Sequence, residues 1–81
     1  QKQSIQSMKR ALFFFPEYAE CYYNLAITYS ELDKVEKAIY NYNMCVHFNS
    51  RCAEAYNNLG VLYKRLENIQ MAIESYKMAV T

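Results

Sequence analysis

The side chains in this chain best suited to nucleophilic or metal chemistry are Cys21, Cys45, Cys52 and the single histidine, His47. None of the cysteines has the CxxC spacing of a zinc site, and three thiols in 81 residues are too few for a disulfide scaffold. Cys45 and His47 lie two residues apart, a separation that on a helix turns them toward nearly opposite faces. No metal site and no cofactor is expected, and an odd number of free thiols suits a reducing compartment. The lone glycine, Gly60, excludes the phosphate-cradling loops, which need several glycines at fixed spacing. No acid, base and nucleophile fall together, so this stretch is not expected to be an enzyme. What does recur is an amide: Asn24 and Asn58, each followed by Leu and a small residue, stand 34 residues apart. A carboxamide donates and accepts together, as a peptide group does, so two in register would suit the backbone of an extended polypeptide.

The elements that carry these residues follow from composition and period. Hydrophobic residues make up 53% and charged residues 21%, while one Gly and one Pro cannot supply the turns of a strand-rich fold. The chain therefore reads as all-α. A net charge of +1 leaves no excess of cations for phosphates, so nucleic acid is not an expected partner. The longest apolar run, Ala11 to Phe15, is far short of the roughly 20 residues that span a bilayer, so no membrane partner is expected. The chain opens on Gln1 and shows no stop signal for its last helix before Thr81, which reads as an excerpt of something longer.

Laying Ala19-Glu20-Cys21-Tyr22-Tyr23-Asn24-Leu25-Ala26 over Ala53-Glu54-Ala55-Tyr56-Asn57-Asn58-Leu59-Gly60 aligns the two segments, and Tyr29/Tyr63, Ala38/Ala72, Ile39/Ile73 and Tyr42/Tyr76 continue the match. A 34-residue period is that of a two-helix repeat. It divides the chain into 1–16, the second helix of a preceding repeat, one repeat at 19–52 and another at 53–81. Five antiparallel helices are expected near 2–15, 17–31, 34–48, 52–65 and 68–80. Asp33 with Glu36 has the spacing of a capping box, and Asn68 is placed to cap the last helix.

With Tyr22, Leu25, Ala26, Tyr29, Ala38, Tyr42 and Cys45, and again Tyr56, Leu59, Gly60, Tyr63, Ala72, Tyr76 and Ala79, in their places, the chain resembles the tetratricopeptide-repeat family. The resemblance implies a helical solenoid of about two and a half repeats, with the small residues at close helix approaches and the tyrosines filling the core. Asp33 and Glu67 replace the glycine usual in that family's turn, and Ser50 replaces the junction proline that Pro16 supplies one repeat earlier. Softer turns, other turn geometries or running-on of the helices are the expected consequence. A solenoid segment this short hides its end faces only against a neighbour. Self-association is expected through Ile5, Met8 and Leu12, or through Ile73, Tyr76 and Val80.

The resemblance also places the binding surface on the inner face of each repeat's first helix, where a protein or peptide partner would lie. Its candidates are Glu20, Tyr23, Asn24, Ile27, Ser30 and Glu31 in one repeat and Glu54, Asn57, Asn58, Val61, Lys64 and Arg65 in the next. Two readings of the asparagines stand: a ladder for a bound backbone, or bonds to neighbouring helices. For Tyr23 and Asn57 the alternatives are a specific contact and a solvated groove wall. The carboxylate clamp by which some such repeats hold chaperone tails is absent, because Tyr23 and Ile27, then Asn57 and Val61, fill its lysine and asparagine places.

Finally, His47-Phe48-Asn49, Cys52-Ala53-Glu54-Ala55 and Asn57 through Lys64 resemble the repeats of SPINDLY proteins, which belong with the O-linked N-acetylglucosamine transferases. The implied function is presentation of acceptor proteins to a downstream glycosyltransferase domain that moves fucose or N-acetylglucosamine to Ser and Thr. The implied location is cytoplasmic or nuclear. The alternative is a non-catalytic scaffold that joins protein partners.

Overall fold

Apolar residues at helical spacing, with almost no helix breakers, give five helices: α1 (Lys2–Phe14), α2 (Ala19–Glu31), α3 (Val35–Phe48), α4 (Ala53–Arg65) and α5 (Ile69–Ala79). The computed structural model describes the backbone from residue 2 to 81 and side chains from residue 5 onward. Each helix packs on the next in the chain, and no strand occurs among the described residues. The architecture is an all-α solenoid of helices stacked in chain order. No helix is long and apolar enough to cross a membrane.

The turns inside the repeats are where sequence and structure differ most instructively. Asp33 and Glu67 take φ of 62° and 61°, the left-handed conformation that glycine adopts without penalty. After α2, the Lys34 N–H donates to the Tyr29 carbonyl at 2.8 Å and the Asp33 N–H to Ser30 at 3.0 Å. After α4, the Asn68 N–H reaches Tyr63 at 2.9 Å and the Glu67 N–H reaches Lys64 at 2.9 Å. These are paired Schellman caps. The carbonyl ends of α2 and α4 are satisfied this way, so the helices stop on schedule and the turn keeps its geometry despite the missing glycines. The expected capping box at Asp33 does not form: Lys34 holds the N-cap of α3, with no side-chain cap bond. With its backbone in the left-handed region, Asp33 instead pairs its carboxylate with Arg65. Asn68 does cap α5, its Oδ1 accepting the Met71 N–H at 3.2 Å.

At the junction between repeats, Asn49 compensates for the absent proline. Its Oδ1 accepts the Arg51 N–H at 3.2 Å, an Asx-type turn, while its backbone links Cys45 to Cys52. One repeat earlier, the Tyr22 hydroxyl donates to the Pro16 carbonyl at 2.9 Å and the Tyr22 ring stacks on Phe48 at 5.9 Å.

The core is built on Leu25, Ala26, Ala38, Tyr42, Ala55 and Leu59, with Tyr22, Tyr29 and Cys45 also buried. The small residues lie where helices meet: Ala26 and Ala38 are completely buried. The tyrosines, expected throughout as core, divide by repeat. Tyr22, Tyr29 and Tyr42 are buried, Tyr56 and Tyr63 are half-buried, and Tyr76 is 38% exposed against 3% for its counterpart Tyr42. The physical reason is that α3 is packed between α2 and α4, whereas the main packing of α5 is on α4.

Candidate protein-binding cleft

Ser30 and Glu31 lie three and four residues after Ile27 on α2, and on α4 Val61 and Leu62 lie three and four after Asn58, with Arg65 one turn further, so each set lies on one helical face. The two faces form the walls of a cleft of about 240 Å³, and Tyr42 of α3 joins its lining. Leu62 is buried, Ile27 is half-buried and Val61 is exposed, giving an apolar strip with polar ends.

Tyr42 is tied down on two sides. Its hydroxyl accepts the Asn58 Nδ2–H at 3.2 Å, and its ring meets Tyr23 edge-on at 5.8 Å. A buried phenol needs such a partner. Burial pushes the Tyr42 hydroxyl up to about 12, and the nearby Tyr23 adds to it, with the Asn58 amide pulling the other way. Tyr23 is likewise raised, first by burial and then by the Glu54 carboxylate. At the far end, Arg65 reaches Asp33 across the repeat boundary, an ion pair exposed on both sides and therefore a small contributor to stability.

Of the residues expected to bind, Ile27, Ser30, Glu31, Asn58, Val61 and Arg65 are brought together in this cleft. Tyr23 stands behind it, half-buried against Tyr42. Asn24, Asn57 and Lys64 are exposed and lie outside its lining. The two asparagines of the proposed ladder are thus not equivalent: Asn58 is bonded to a neighbouring helix through its nitrogen, while Asn24 is open to solvent. Tyr42 and Leu62 were not among the sequence candidates. Tyr42 reads as a core aromatic in the repeat pattern, and the signal for a second role is the hydroxyl of a tyrosine at a core position.

A second surface was visible in the sequence only as an apolar run. Phe14, Phe15, Pro16, Glu17 and Tyr18 line an open hollow of about 610 Å³ at the α1–α2 turn, and Phe13, 80% exposed, meets Phe14 edge-on at 5.3 Å. Among the described residues no three His, Cys, Asp or Glu side chains converge as a metal site. His47 is exposed beside Phe48.

Comparison with protein families finds tetratricopeptide-repeat models matching residues 8–40 and 53–81. No curated protein sequence matches the chain. Among solved structures, one titled as the crystal structure of MamA is 26% identical with a TM-score of 0.91, covering 94% of this chain and 44% of the MamA chain. A second MamA crystal structure is 26% identical with a TM-score of 0.88, covering 94% and 42%. A MamA RS-1 ArsTM double mutant, 20% identical with a TM-score of 0.91 over 98% of this chain and 44% of that one, shows likeness of fold alone. The chain spans less than half the length of these structures.

Proposed function

We propose that this chain, an all-α tetratricopeptide-repeat solenoid, is a non-catalytic protein-interaction segment whose α2–α4 cleft takes an extended stretch of a partner polypeptide. The observation that carries the reading is the cleft itself. Its apolar strip of Ile27, Val61 and Leu62 suits a small aliphatic side chain. Beside it, Asn58 donates one amide N–H to Tyr42, and its Oδ1 would accept a backbone N–H of the partner. One such bond adds only about 1 kcal/mol net, so recognition by this cleft is weak and broad in sequence. Asn24, exposed one repeat away, would serve as an outer contact along the same inner face.

The finer reading, that the segment presents acceptors to a SPINDLY-like O-glycosyltransferase, rests on sequence resemblance from His47 to Lys64 and on the paired asparagines. The matched structures carry the name MamA and no transferase name, so the scaffold reading is preferred. A reducing cytoplasmic or nuclear setting belongs to the same proposal, supported by the three free thiols. Self-association belongs to it as well, with the open face of α5 as the contact. Ile73 and Tyr76 are exposed there and Val80 is 84% exposed, whereas Ile5, Met8 and Leu12 of α1 are already half-buried against the core.

Panning a random-peptide phage library on the chain tests the cleft. Selected peptides should lose at least tenfold in affinity on Val61→Asp and on the pair Asn24→Ala with Asn58→Ala, and be unaffected by Glu17→Ala at the α1–α2 turn. Peptides that bind Val61→Asp as tightly as the unaltered chain would retire this site.

A further inference from the structure

Cys45 and Cys52 stand on either side of the α3–α4 turn. Cys45 is buried on the last turn of α3, and Cys52, the N-cap residue of α4, is half-buried against the same core. The turn between them is pinned at three points: Asn49 N–H to Cys45 O at 2.8 Å, Cys52 N–H to Asn49 O at 3.2 Å, and Arg51 N–H to Asn49 Oδ1 at 3.2 Å. This folding back packs Cys52 against the core cluster that holds Cys45, near enough for the Cys52 thiol to act on the ionisation of Cys45. Cys21 is engaged elsewhere, giving its S–H to the Met8 carbonyl at 3.2 Å where α2 meets α1. All three cysteines are free.

We infer that Cys45 and Cys52 form a reversible dithiol–disulfide site, oxidised by hydrogen peroxide and reset by a small thiol, that ties the end of α3 to the start of α4. Exposure assigns the order of events. Cys52 meets the peroxide: its sulfur takes one oxygen, the O–O bond breaks and one water leaves, giving a sulfenic acid. The Cys45 sulfur then attacks that sulfur. The S–S bond forms, the S–O bond breaks, and the Cys45 proton departs with the hydroxyl as a second water. Two thiols and one hydrogen peroxide become one disulfide and two waters. Burial pushes the Cys45 thiol up to about 12, so it offers little thiolate to an oxidant in solution, and what favours its attack on Cys52 is that the pinned turn holds both residues on one core. Because Tyr42 lies one turn before Cys45 on α3, the tie would hold the residue lining the cleft in place. The chemistry itself does not depend on what the cleft binds.

Buried free cysteines often serve only as small apolar fillers, and the experiment separates that role from the redox one. The folded chain is treated with hydrogen peroxide, quenched, denatured in guanidinium with the alkylating agent present, and digested with trypsin without reduction. Cleavage after Lys37, Arg51 and Lys64 places Cys45 in residues 38–51 and Cys52 in residues 52–64. These two peptides should appear covalently joined, lighter by two hydrogens than their sum, and should separate on dithiothreitol, with Cys21 alkylated throughout. In Cys45→Ser the joined species should vanish and Cys52 should be trapped as a sulfenic acid by dimedone. The unaltered chain decides by itself if that variant fails to fold. Cys52 driven to sulfinic acid beside a Cys45 that still alkylates, or disulfides that join Cys21 or two separate chains, would overturn the proposal.

Discussion

Replacing Gly60 by Ala should destabilise this chain, and removing one aromatic ring should reverse the sign. Gly60 is buried within α4 and does not have a positive φ, so its conformational freedom is not what the position uses. What it uses is space. A Cβ at Gly60 would fall 2.6 Å from Cε1, 2.7 Å from Cζ and 2.9 Å from Cδ1 of Tyr76, well inside contact distance. The corresponding residue one repeat earlier is Ala26, fully buried, where α2 and α3 accommodate the methyl group. Two contributions oppose each other at Gly60. Alanine gains about 1 kcal/mol of helix propensity. Overpacking typically costs about 1–3 kcal/mol, and a ring that is partly exposed can move enough to keep the cost near the middle of that range. The net expectation is a loss of about 1 kcal/mol. In a Tyr76→Ala background the obstruction is gone and Gly60→Ala should instead stabilise by about 1 kcal/mol. Urea denaturation followed by helical circular dichroism, on all four members of the cycle, yields the coupling directly. A Gly60→Ala that stabilises in both backgrounds, with coupling under about 0.5 kcal/mol, would refute the close-approach reasoning.

Glu67→Gly should raise stability by about 1 kcal/mol by relieving a left-handed non-glycine residue, read as a higher urea midpoint. Asp33→Gly should gain less, since it also discards the partner of Arg65. Alkali should unfold the chain progressively. Tyr42 rises from 10.0 and Cys45 from 9.0, each to about 12, because burial favours the neutral form, so their contribution is complete below pH 9 and fades as pH climbs toward 12. A urea midpoint that stays flat from pH 9 to 12 would contradict that assignment. Light scattering should show the chain self-associating at high concentration, with Ile73→Lys plus Val80→Lys shifting it to monomer. A strictly monomeric unaltered chain would remove the case for the α5 face.

How much was legible in advance can be followed residue by residue. The helices begin and end within two residues of expectation because apolar period and the absence of breakers are local properties. The Asn68 cap was legible for the same reason, since an N-cap needs only its own side chain and the next turn. Asp33 was misread because a capping box and a Schellman turn compete for the same few residues. The backbone bonds of Lys34 and Asp33 to the end of α2 decide that contest. The cleft was half legible: the family resemblance implies an inner face that includes Ile27, Asn58, Val61 and Arg65, but Tyr42 enters only when three helices are packed.

The sequence by itself determined the repeat, the helices and the residues that must be small, since each depends on a period along the chain. Tertiary structure decided which of two like residues does what. Asn58 is bonded and Asn24 open, Tyr42 is buried and Tyr76 exposed, and Cys45 shares its core with Cys52 while Cys21 is held by α1. The reason is that both repeats carry nearly the same local code but are covered differently: α3 lies between α2 and α4, and the main packing of α5 is on α4. Burial, and with it hydrogen bonding and acidity, is a property of that covering and not of the period.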